Sequence, residues 1–180
     1  MTTAIPDCVG IIPARYDSKR FPGKPLADIN GKPMFWHVYD RSRRCPELKQ
    51  IFLATDDRRI MEAAEAHDVP VLLTRSDHPS GSDRVMEAAQ QLSLEAETVV
   101  VNVQGDEPLL DPAMLSDLVK PFEDPQILVT TLAHPLAPED VSDPDRVKVV
   151  RSISGRALYF SRSAIPYPGA PSEKLWGHIG

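Results

Sequence analysis

Cys8-Val9-Gly10-Ile11-Ile12 is an unbroken apolar run that ends at Pro13. A run of this kind predicts a strand that is covered on both faces. Three similar runs follow at 50–54, Val71–Leu73 and 98–103. The sequence therefore predicts four buried strands before residue 104.

Helical patterns lie between these runs, over 33–44, 58–67 and 82–92. A fourth helix has a clear start, because the Asp111 side chain can cap free N–H groups and Pro112 fits the first helical position. Its predicted apolar stripe is Leu115, Leu118, Val119 and Phe122. Strands that alternate with helices predict an α/β fold. We expect a mostly parallel sheet with helices on both faces and a ligand crevice at the carboxyl ends of its strands.

The pattern changes after this fourth helix. Strands are predicted over 128–133, 147–151 and 157–160 without long helices between them, and a Ser-Gly pair at 154–155 joins the last two as a hairpin. These strands predict an antiparallel extension of the sheet. The prolines of 165–172 cannot extend a strand ladder, so we expect a loop there.

The length of 180 residues and the 42% hydrophobic content are typical of a single domain. We therefore expect one domain over 1–180. The final residues, His178-Ile179-Gly180, have the pattern of an opening strand. Because a domain rarely ends within a core element, we expect this domain to be C-terminally incomplete.

Charge and composition exclude several classes of protein. Twenty Lys and Arg against 26 Asp and Glu give a net charge of −6, which argues against a surface that attracts nucleic acid. No apolar run approaches a membrane span and no leader pattern is present, so we expect a soluble, cytoplasmic protein. Cys8 and Cys45 have no C-x-x-C partner and are expected to be buried as small apolar side chains. The five histidines lack a metal-binding spacing.

A basic loop follows the first predicted strand. Arg15, Lys19, Arg20 and Lys24 fall within ten residues, at the sheet edge where a parallel sheet binds its ligand. Arginine forks and lysine point charges together can hold a polyphosphate, although a solvated basic loop remains an alternative. Neither G-x-x-x-x-G-K-[ST] nor G-x-G-x-x-G occurs, so P-loop hydrolases and dehydrogenases are excluded.

A carboxylate follows the fourth predicted strand, in Val103-Gln104-Gly105-Asp106-Glu107-Pro108. Magnesium prefers one or two protein carboxylates, with phosphate oxygens and water completing its shell. Asp106 is therefore the predicted Mg²⁺ ligand. The alternative is that Asp106 caps the turn before the next helix, and Glu107 is expected to be structural.

A third segment, 74–84, follows the third strand and begins a helix. Free N–H groups at a helix start, with a serine hydroxyl and an arginine, can bind a base edge or a phosphate. Taken alone, this segment has the features of an ordinary capped helix start.

Together these segments resemble the 3-deoxy-manno-octulosonate (KDO) cytidylyltransferases, also called CMP-KDO synthetases. The resemblance covers almost the whole chain and rests on four motifs in one order: I-I-P-A-R-Y-x-S-x-R-F-P-G-K-P-L at 11–26, H-P-S-G-S-D-R at 78–84, V-N-V-Q-G-D-E-P at 101–108, and V-K-V-V with A-L-Y-F-S-R within 147–162. Sialic acid cytidylyltransferases are similar at I-P-A-R, but F-P-G-K-P-L and S-G-[ST]-D-R match the KDO family better.

The resemblance implies a Rossmann-like nucleotidyltransferase sheet and a CTP-dependent enzyme that transfers CMP to KDO, releases pyrophosphate and supplies lipopolysaccharide synthesis. It assigns Arg15 and Lys24 to catalysis and Asp106 to Mg²⁺. It assigns the CTP phosphates to Arg15, Ser18 and Lys24. It assigns cytosine or its ribose to Pro13, Ala14, Arg75, Ser80 and Gln104. It assigns the sugar acid to Arg162 and His178.

Family members continue past His178, so the resemblance implies that the 180-residue chain alone is weakly active or inactive, whereas the intact protein forms a homodimer. Two alternatives stay open. One is a cytidylyltransferase for another acidic sugar, such as amino-KDO or a sialic acid. The other is a nucleotide-binding remnant without turnover.

Overall fold

The computed structural model describes residues 4–17, 21–166 and 175–179. The chain divides into two compact units, Met1–Leu128 and Val129–Gly180, which are described separately below. The single domain over 1–180 stays a prediction. The elements of the first unit are β1 (Cys8–Ala14), β2 (Asp28–Ile29), β3 (Lys32–Pro33), α1 (Met34–Ser42), β4 (Leu48–Thr55), α2 (Arg58–Glu65), β5 (Val71–Leu73), α3 (Gly81–Gln91), β6 (Val99–Asn102) and α4 (Pro112–Val119).

The four predicted apolar runs form one parallel sheet, in the order β5-β4-β1-β6. Each strand begins and ends within about two residues of its predicted bounds. β1 lies inside the sheet, with Ile11 opposite Phe52 of β4 on one side and Asn102 of β6 on the other. After β1 the chain adds β4 and then β5 on one side of this strand, and it then adds β6 on the other side. A crevice at the carboxyl ends of β1 and β6 is the expected ligand site of such an order.

Helices cover both faces of this sheet, as predicted. One face is packed by α1, α2 and α4, whose fully or nearly fully buried side chains include Phe35, Ile60 and Leu115. The opposite face is packed by α3, where Val85 and Ala88 contact the side of β1 that carries Val9 and Ile11. Successive residues of β1 point to opposite faces of the sheet, and both faces are covered by helices, so no position in this strand favours a polar residue.

Both cysteines are free and buried, as the sequence predicted. Burial raises the pKa of the Cys8 thiol to about 11 and also raises the pKa of the Cys45 thiol. Neither thiol is therefore an available nucleophile near neutral pH.

The start of α4 is as predicted and its end is not. The Asp111 carboxylate accepts a hydrogen bond from the Ala113 amide at 3.0 Å, and Pro112 is the first helical residue. The α-helix ends at Val119 and a 3-10 turn, Lys120–Glu123, follows. Phe122 is thus wrongly predicted as part of the helical stripe. Proline at position 121 explains the change, because its ring cannot continue an α-helix.

The second unit is antiparallel. Its strands are β7 (Leu132–Pro135), β8 (Lys148–Arg151), β9 (Ala157–Ser161) and β10 (Trp176–Ile179), in the order β7-β10-β8-β9. The predicted hairpin is confirmed, with Gly155 at a φ of +87° in the turn. Among the described residues these strands form a sheet of their own and do not lengthen the parallel sheet.

The strand predicted over 128–133 is wrong in its bounds. Leu128 and Val129 are 83% and 86% exposed, and β7 begins at Leu132, where it pairs with Ile179 of β10. The expected loop over 165–172 is described only at Ile165 and Pro166, which lie in no strand, and its other residues lie outside the described part. No helix in the described part of the chain is long and apolar enough to cross a membrane.

Candidate functional site

A cavity of about 480 Å³ opens at the carboxyl ends of β1 and β6. Three segments provide its walls: the loop after β1, the loop after β6 and the start of α3. Its lining residues are Pro13, Ala14, Arg15, Phe21, Lys24, Pro25, His78, Ser80, Gly81, Arg84, Gln104, Gly105 and Asp106. The parallel sheet therefore brings together three segments that are far apart in the sequence.

An ion pair joins the first two walls. Lys24 Nζ donates to Asp106 Oδ2 at 2.7 Å, and the two side chains are 36% and 50% exposed. Asp106 makes no helix cap, since Asp111 caps α4. The predicted juxtaposition of a cation from the first loop with this carboxylate is therefore present in the cavity.

The backbone directly before Lys24 is shaped by Gly23. Gly23 adopts a left-handed conformation with a φ of +71°, and its amide donates to the Tyr16 carbonyl at 2.8 Å. A Cβ at this position would lie only 3.0 Å from the Tyr16 ring. Arg59 stacks on the same ring at 3.3 Å and pairs with Asp57. A glycine at position 23 thus directs the chain back toward the sheet before Lys24.

The loop after β6 packs tightly on β1. A Cβ added at Gly105 would lie 2.9 Å from the Pro13 carbonyl oxygen, a separation that side chains do not tolerate. The absence of a side chain at position 105 therefore allows Gln104 and Asp106 to lie beside the end of β1.

The start of α3 forms the third wall. Ser80 Oγ caps the helix by accepting from the Asp83 amide at 3.2 Å, and Gly81 packs against the Pro13 ring. Arg84 follows within the first turn and is 4% exposed.

Arg84 joins α3 to the ends of two strands. Its guanidinium donates to Thr74 Oγ1 at 2.5 Å and lies 3.2 Å from Asp56 Oδ1. That oxygen is buried and accepts no hydrogen bond from a described residue. The positive charge of the Arg84 guanidinium therefore balances the negative charge of the Asp56 carboxylate. A buried cation thus holds the helix start against the sheet.

A histidine and a glutamate form a second contact in this wall. His78 Nε2 is hydrogen-bonded to Glu87 Oε2, and the two side chains are only 13% and 21% exposed. Glu87 also accepts from the Arg75 amide at 3.0 Å and from Gln91 Nε2 at 3.0 Å. The His78 bond is the main cause that lowers the pKa of Glu87.

The second unit contains the two residues predicted to bind the sugar acid. Arg162 is two-thirds exposed and donates to the Pro144 carbonyl at 2.7 Å. His178 is hydrogen-bonded to Thr131 Oγ1 at 2.7 Å, and its ring meets Phe160 edge-on at 5.0 Å. Burial lowers the pKa of His178.

Comparison with known proteins places these features in a family. Residues 9–172 match a family model described as cytidylyltransferase. The chain is 62% identical over 176 residues to the 3-deoxy-manno-octulosonate cytidylyltransferase of Oleidesulfovibrio alaskensis, a match that covers 96% of the chain and 71% of that protein. The corresponding protein of Lawsonia intracellularis is 50% identical over 182 residues, covering 100% and 72%. The chain belongs to the 3-deoxy-manno-octulosonate cytidylyltransferase family.

A solved structure of this family of cytidylyltransferases agrees with the fold. CMP:2-keto-3-deoxy-manno-octonic acid synthetase complexed with CTP superimposes with a TM-score of 0.90 at 42% identity, over 96% of this chain and 71% of that one. The more distant 4-diphosphocytidyl-2C-methyl-D-erythritol synthase superimposes with a TM-score of 0.61 at 17% identity, over 96% of this chain and 72% of that one. The second likeness concerns the fold alone. The predicted nucleotidyltransferase fold is confirmed.

The cavity of this cytidylyltransferase includes most of the residues predicted to bind CTP. Those that line it are Pro13, Ala14, Arg15, Lys24, Ser80 and Gln104, and Asp106, the predicted Mg²⁺ ligand, lines it as well. Arg75 is not in the lining: its side chain is 71% exposed and forms an ion pair with Asp77. Ser18, with Lys19 and Arg20, lies outside the described residues. The individual roles of all these residues stay predictions.

Several lining residues were not assigned from the sequence. They are Phe21, Pro25, His78, Gly81, Arg84 and Gly105. Two of them, His78 and Arg84, begin and end the H-P-S-G-S-D-R motif. The motif marked both residues in the sequence, but it did not indicate which groups their side chains contact. Glu87, the partner of His78, had no sequence signal, because the contact depends on how α3 lies beside the loop before it.

The chemistry of Asp106 fits a magnesium ion. Its carboxylate is half exposed and lies in the cavity, where nucleotide phosphates and water could supply the other oxygens. Among the described residues no group of three His, Cys, Asp or Glu side chains could hold a metal by itself. One protein carboxylate, with phosphate oxygens and water, is a donor set that fits Mg²⁺.

Proposed function

We propose that this protein transfers CMP from CTP to KDO and releases pyrophosphate. In this reaction the anomeric hydroxyl of KDO attacks the α-phosphorus of CTP. A new P–O bond forms to the sugar, the bond between the α-phosphorus and the bridging oxygen breaks, and the hydroxyl proton is lost. The relatives named above support KDO as the acceptor of a cytidylyl group, which is what their names specify, and the solved structure named above is a complex with CTP.

The observation that carries the proposal is the Lys24–Asp106 pair inside the cavity. A nucleoside triphosphate presents negative oxygens along its length, and its metal ion presents positive charge. Either partner of the pair can exchange its present contact for one of these. The cavity therefore contains a matched anion-binding and cation-binding group at one place, which is the requirement for binding a magnesium nucleotide.

We assign the phosphates to Arg15 and Lys24. Pyrophosphate carries increasing negative charge as it departs, and a cation placed beforehand lowers the energy of that transition state. The Lys24 ammonium can follow the leaving oxygens as a point charge, whereas Arg15 can grip two oxygens at once. Ser18 is proposed as a further phosphate contact from the same loop.

We assign Mg²⁺ to Asp106. When bound, the ion neutralises phosphate charge and orients the triphosphate for in-line attack. The protein's own contribution is to hold one carboxylate at the end of β6, where the close packing of Gly105 on Pro13 fixes its backbone.

We assign the nucleoside to Pro13, Ala14, Ser80 and Gln104, with Arg75 as a contact from the adjoining segment. In this assignment Arg75 exchanges its exposed pair with Asp77 for the nucleotide, which costs little because solvent screens surface ion pairs of this kind. KDO is assigned to Arg162, which can pair with the sugar carboxylate, and to His178.

A coupled assay tests the function. Pyrophosphate release from Mg²⁺ and CTP would be measured with and without KDO, using the chain and a version extended with the part of the O. alaskensis relative that the match does not cover. We expect KDO-dependent release and a product with the mass of CMP-KDO from the extended version. No KDO-dependent release from either version would contradict the proposal.

Two further measurements test the alternatives of a different acidic sugar and of a nucleotide-binding remnant. A panel of sugar acids that includes amino-KDO and a sialic acid would identify a different acceptor, which we expect to react more slowly than KDO. CTP binding by calorimetry without turnover of any sugar would instead support a nucleotide-binding remnant.

A further inference from the structure

His78 lines the cavity, and its ring is hydrogen-bonded to a residue that does not line it. The bond joins its Nε2 to Glu87. Glu87 is itself fixed by the Arg75 amide and the Gln91 side chain. Three donors therefore converge on one carboxylate, and the imidazole is oriented before any ligand binds.

The identity of its partner determines the hydrogen position on His78. The pKa of Glu87 is lowered, mainly by the hydrogen bond from His78, so this carboxyl is ionised near neutral pH and can only accept. The hydrogen must therefore be on Nε2. In the tautomer with its hydrogen on Nε2, Nδ1 has a lone pair that can accept a hydrogen bond.

The surroundings of His78 favour an uncharged part of the ligand. The nearby cation Arg84 is balanced by Asp56, and the start of α3 is capped by Ser80 with Asp83 in its first turn. The Glu87 carboxylate behind His78 repels phosphate oxygens. The triphosphate is therefore expected at Lys24 and Arg15, which leaves the nucleobase for the His78 wall.

We propose that His78, oriented by Glu87, selects cytosine by accepting a hydrogen bond at Nδ1 from the exocyclic amino group of the base. This inference rests on the proposed function and names a specificity residue for it. Uracil presents a carbonyl oxygen at the same position, which would face the lone pair of Nδ1. A site built to accept from an amino group discriminates against a base that lacks it.

A ligand series tests the contact. CTP, UTP and the triphosphate of the pyrimidin-2-one nucleoside, which lacks the amino group, would be titrated into the wild-type chain and into His78→Ala by calorimetry. In the wild type, removal of the amino group should weaken binding about 10-fold or more. In His78→Ala, CTP and the pyrimidin-2-one triphosphate should bind with equal affinity. His67→Ala, a histidine paired with Lys32 outside the cavity, is the matched control and should keep the wild-type preference.

A spectroscopic experiment tests the positioning role of Glu87. Nitrogen-15 spectra of the histidine rings should show His78 with its hydrogen on Nε2, and addition of CTP should shift the Nδ1 resonance. Glu87→Gln should produce a mixture of tautomers and reduce the preference for CTP over UTP. A merely structural role for Glu87 would change the melting temperature without altering the tautomer.

Three results would overturn the inference: a hydrogen on Nδ1 in the wild type, equal wild-type binding of CTP and the pyrimidin-2-one triphosphate, or an unchanged preference in folded His78→Ala. Each is distinct from failure of the proposed function, in which CTP is not bound or CMP-KDO is not formed. The wild-type measurements do not depend on whether a variant folds.

Discussion

Lys24 and Asp106 are 82 positions apart in the sequence, and their side chains meet at 2.7 Å in a cavity between the ends of β1 and β6. Both are substantially exposed. Exposed pairs of this kind contribute about 0–1 kcal/mol to the free energy of unfolding. Stabilisation of the fold therefore does not explain why these two residues lie together. The pair instead places opposite charges where a magnesium nucleotide would bind.

Substitution of Lys24 by Ala should lower kcat about 100-fold or more, because a cation that stabilises the departing pyrophosphate acts mainly in the transition state. The melting temperature should change little. Steady-state kinetics in the extended version, followed by thermal unfolding, would measure both. Lys49→Ala is a matched control, since Lys49 forms an exposed pair with Asp7 outside the cavity. An equal loss of activity in both variants would exclude the proposed role.

Substitution of Gly105 by Ala should weaken CTP binding and destabilise the protein by about 1–3 kcal/mol, since the new methyl group would lie too close to the Pro13 carbonyl. Gly81→Ala is the control within the same cavity, because its Cβ would be at an ordinary 3.5 Å from the Pro13 ring. Calorimetry and urea unfolding would measure the two effects. Equal stability of the two variants would contradict the packing argument.

Substitution of Arg84 by Met should destabilise the protein by about 3–5 kcal/mol, because the Asp56 carboxylate would lose its compensating charge. Combining it with Asp56→Asn should recover part of the loss. Arg43→Met, which removes an exposed arginine from its pair with Asp40, should cost far less. Urea unfolding of Arg84→Met, Asp56→Asn, their combination and Arg43→Met would test this, and additive effects of the Arg84 and Asp56 changes would argue against coupling.

Acidification should destabilise the second unit through His178. Burial lowers the pKa of this histidine in the folded state below its ordinary value of 6.5, so the unfolded chain binds the proton first. Stability should be unaffected by this group well above pH 6.5 and should fall as the pH decreases below it. His178→Gln should flatten the dependence of the melting temperature on pH between 7.5 and 5. His134→Gln on β7, next to β10, is the control, and identical slopes in both variants would contradict this assignment.

The sequence predicted the parallel sheet well for a physical reason. β1 is buried on both faces and left an unbroken apolar run, and the Asp111-Pro112 pair marked the start of α4. The prediction that all four strands are covered on both faces is wrong for the edge strands β5 and β6, where Leu73 and Val100 are 47% and 37% exposed. In the second unit the apolar residues gave less information. Leu128 and Val129 are exposed, and β7 is set by pairing with β10, some 40 residues later in the chain.

The candidate site was predicted in part for similar reasons. Lys24 and Asp106 follow strands that the sequence revealed, and the topology of a parallel sheet brings such residues together. His78 and Arg84 depend on contacts with Glu87, Thr74 and Asp56, and these contacts require the packing of α3 against the sheet. Periodicity does not encode such contacts between side chains.

The most direct measurement is the effect of Mg²⁺ on CTP binding to the wild type and to Asp106→Asn. We expect Mg²⁺ to strengthen CTP binding to the wild-type chain, because Asp106 and the phosphates then share the ion. In Asp106→Asn most of that enhancement should be lost, while the melting temperature stays near that of the wild type. Retention of the full enhancement in a folded Asp106→Asn variant would contradict the shared site.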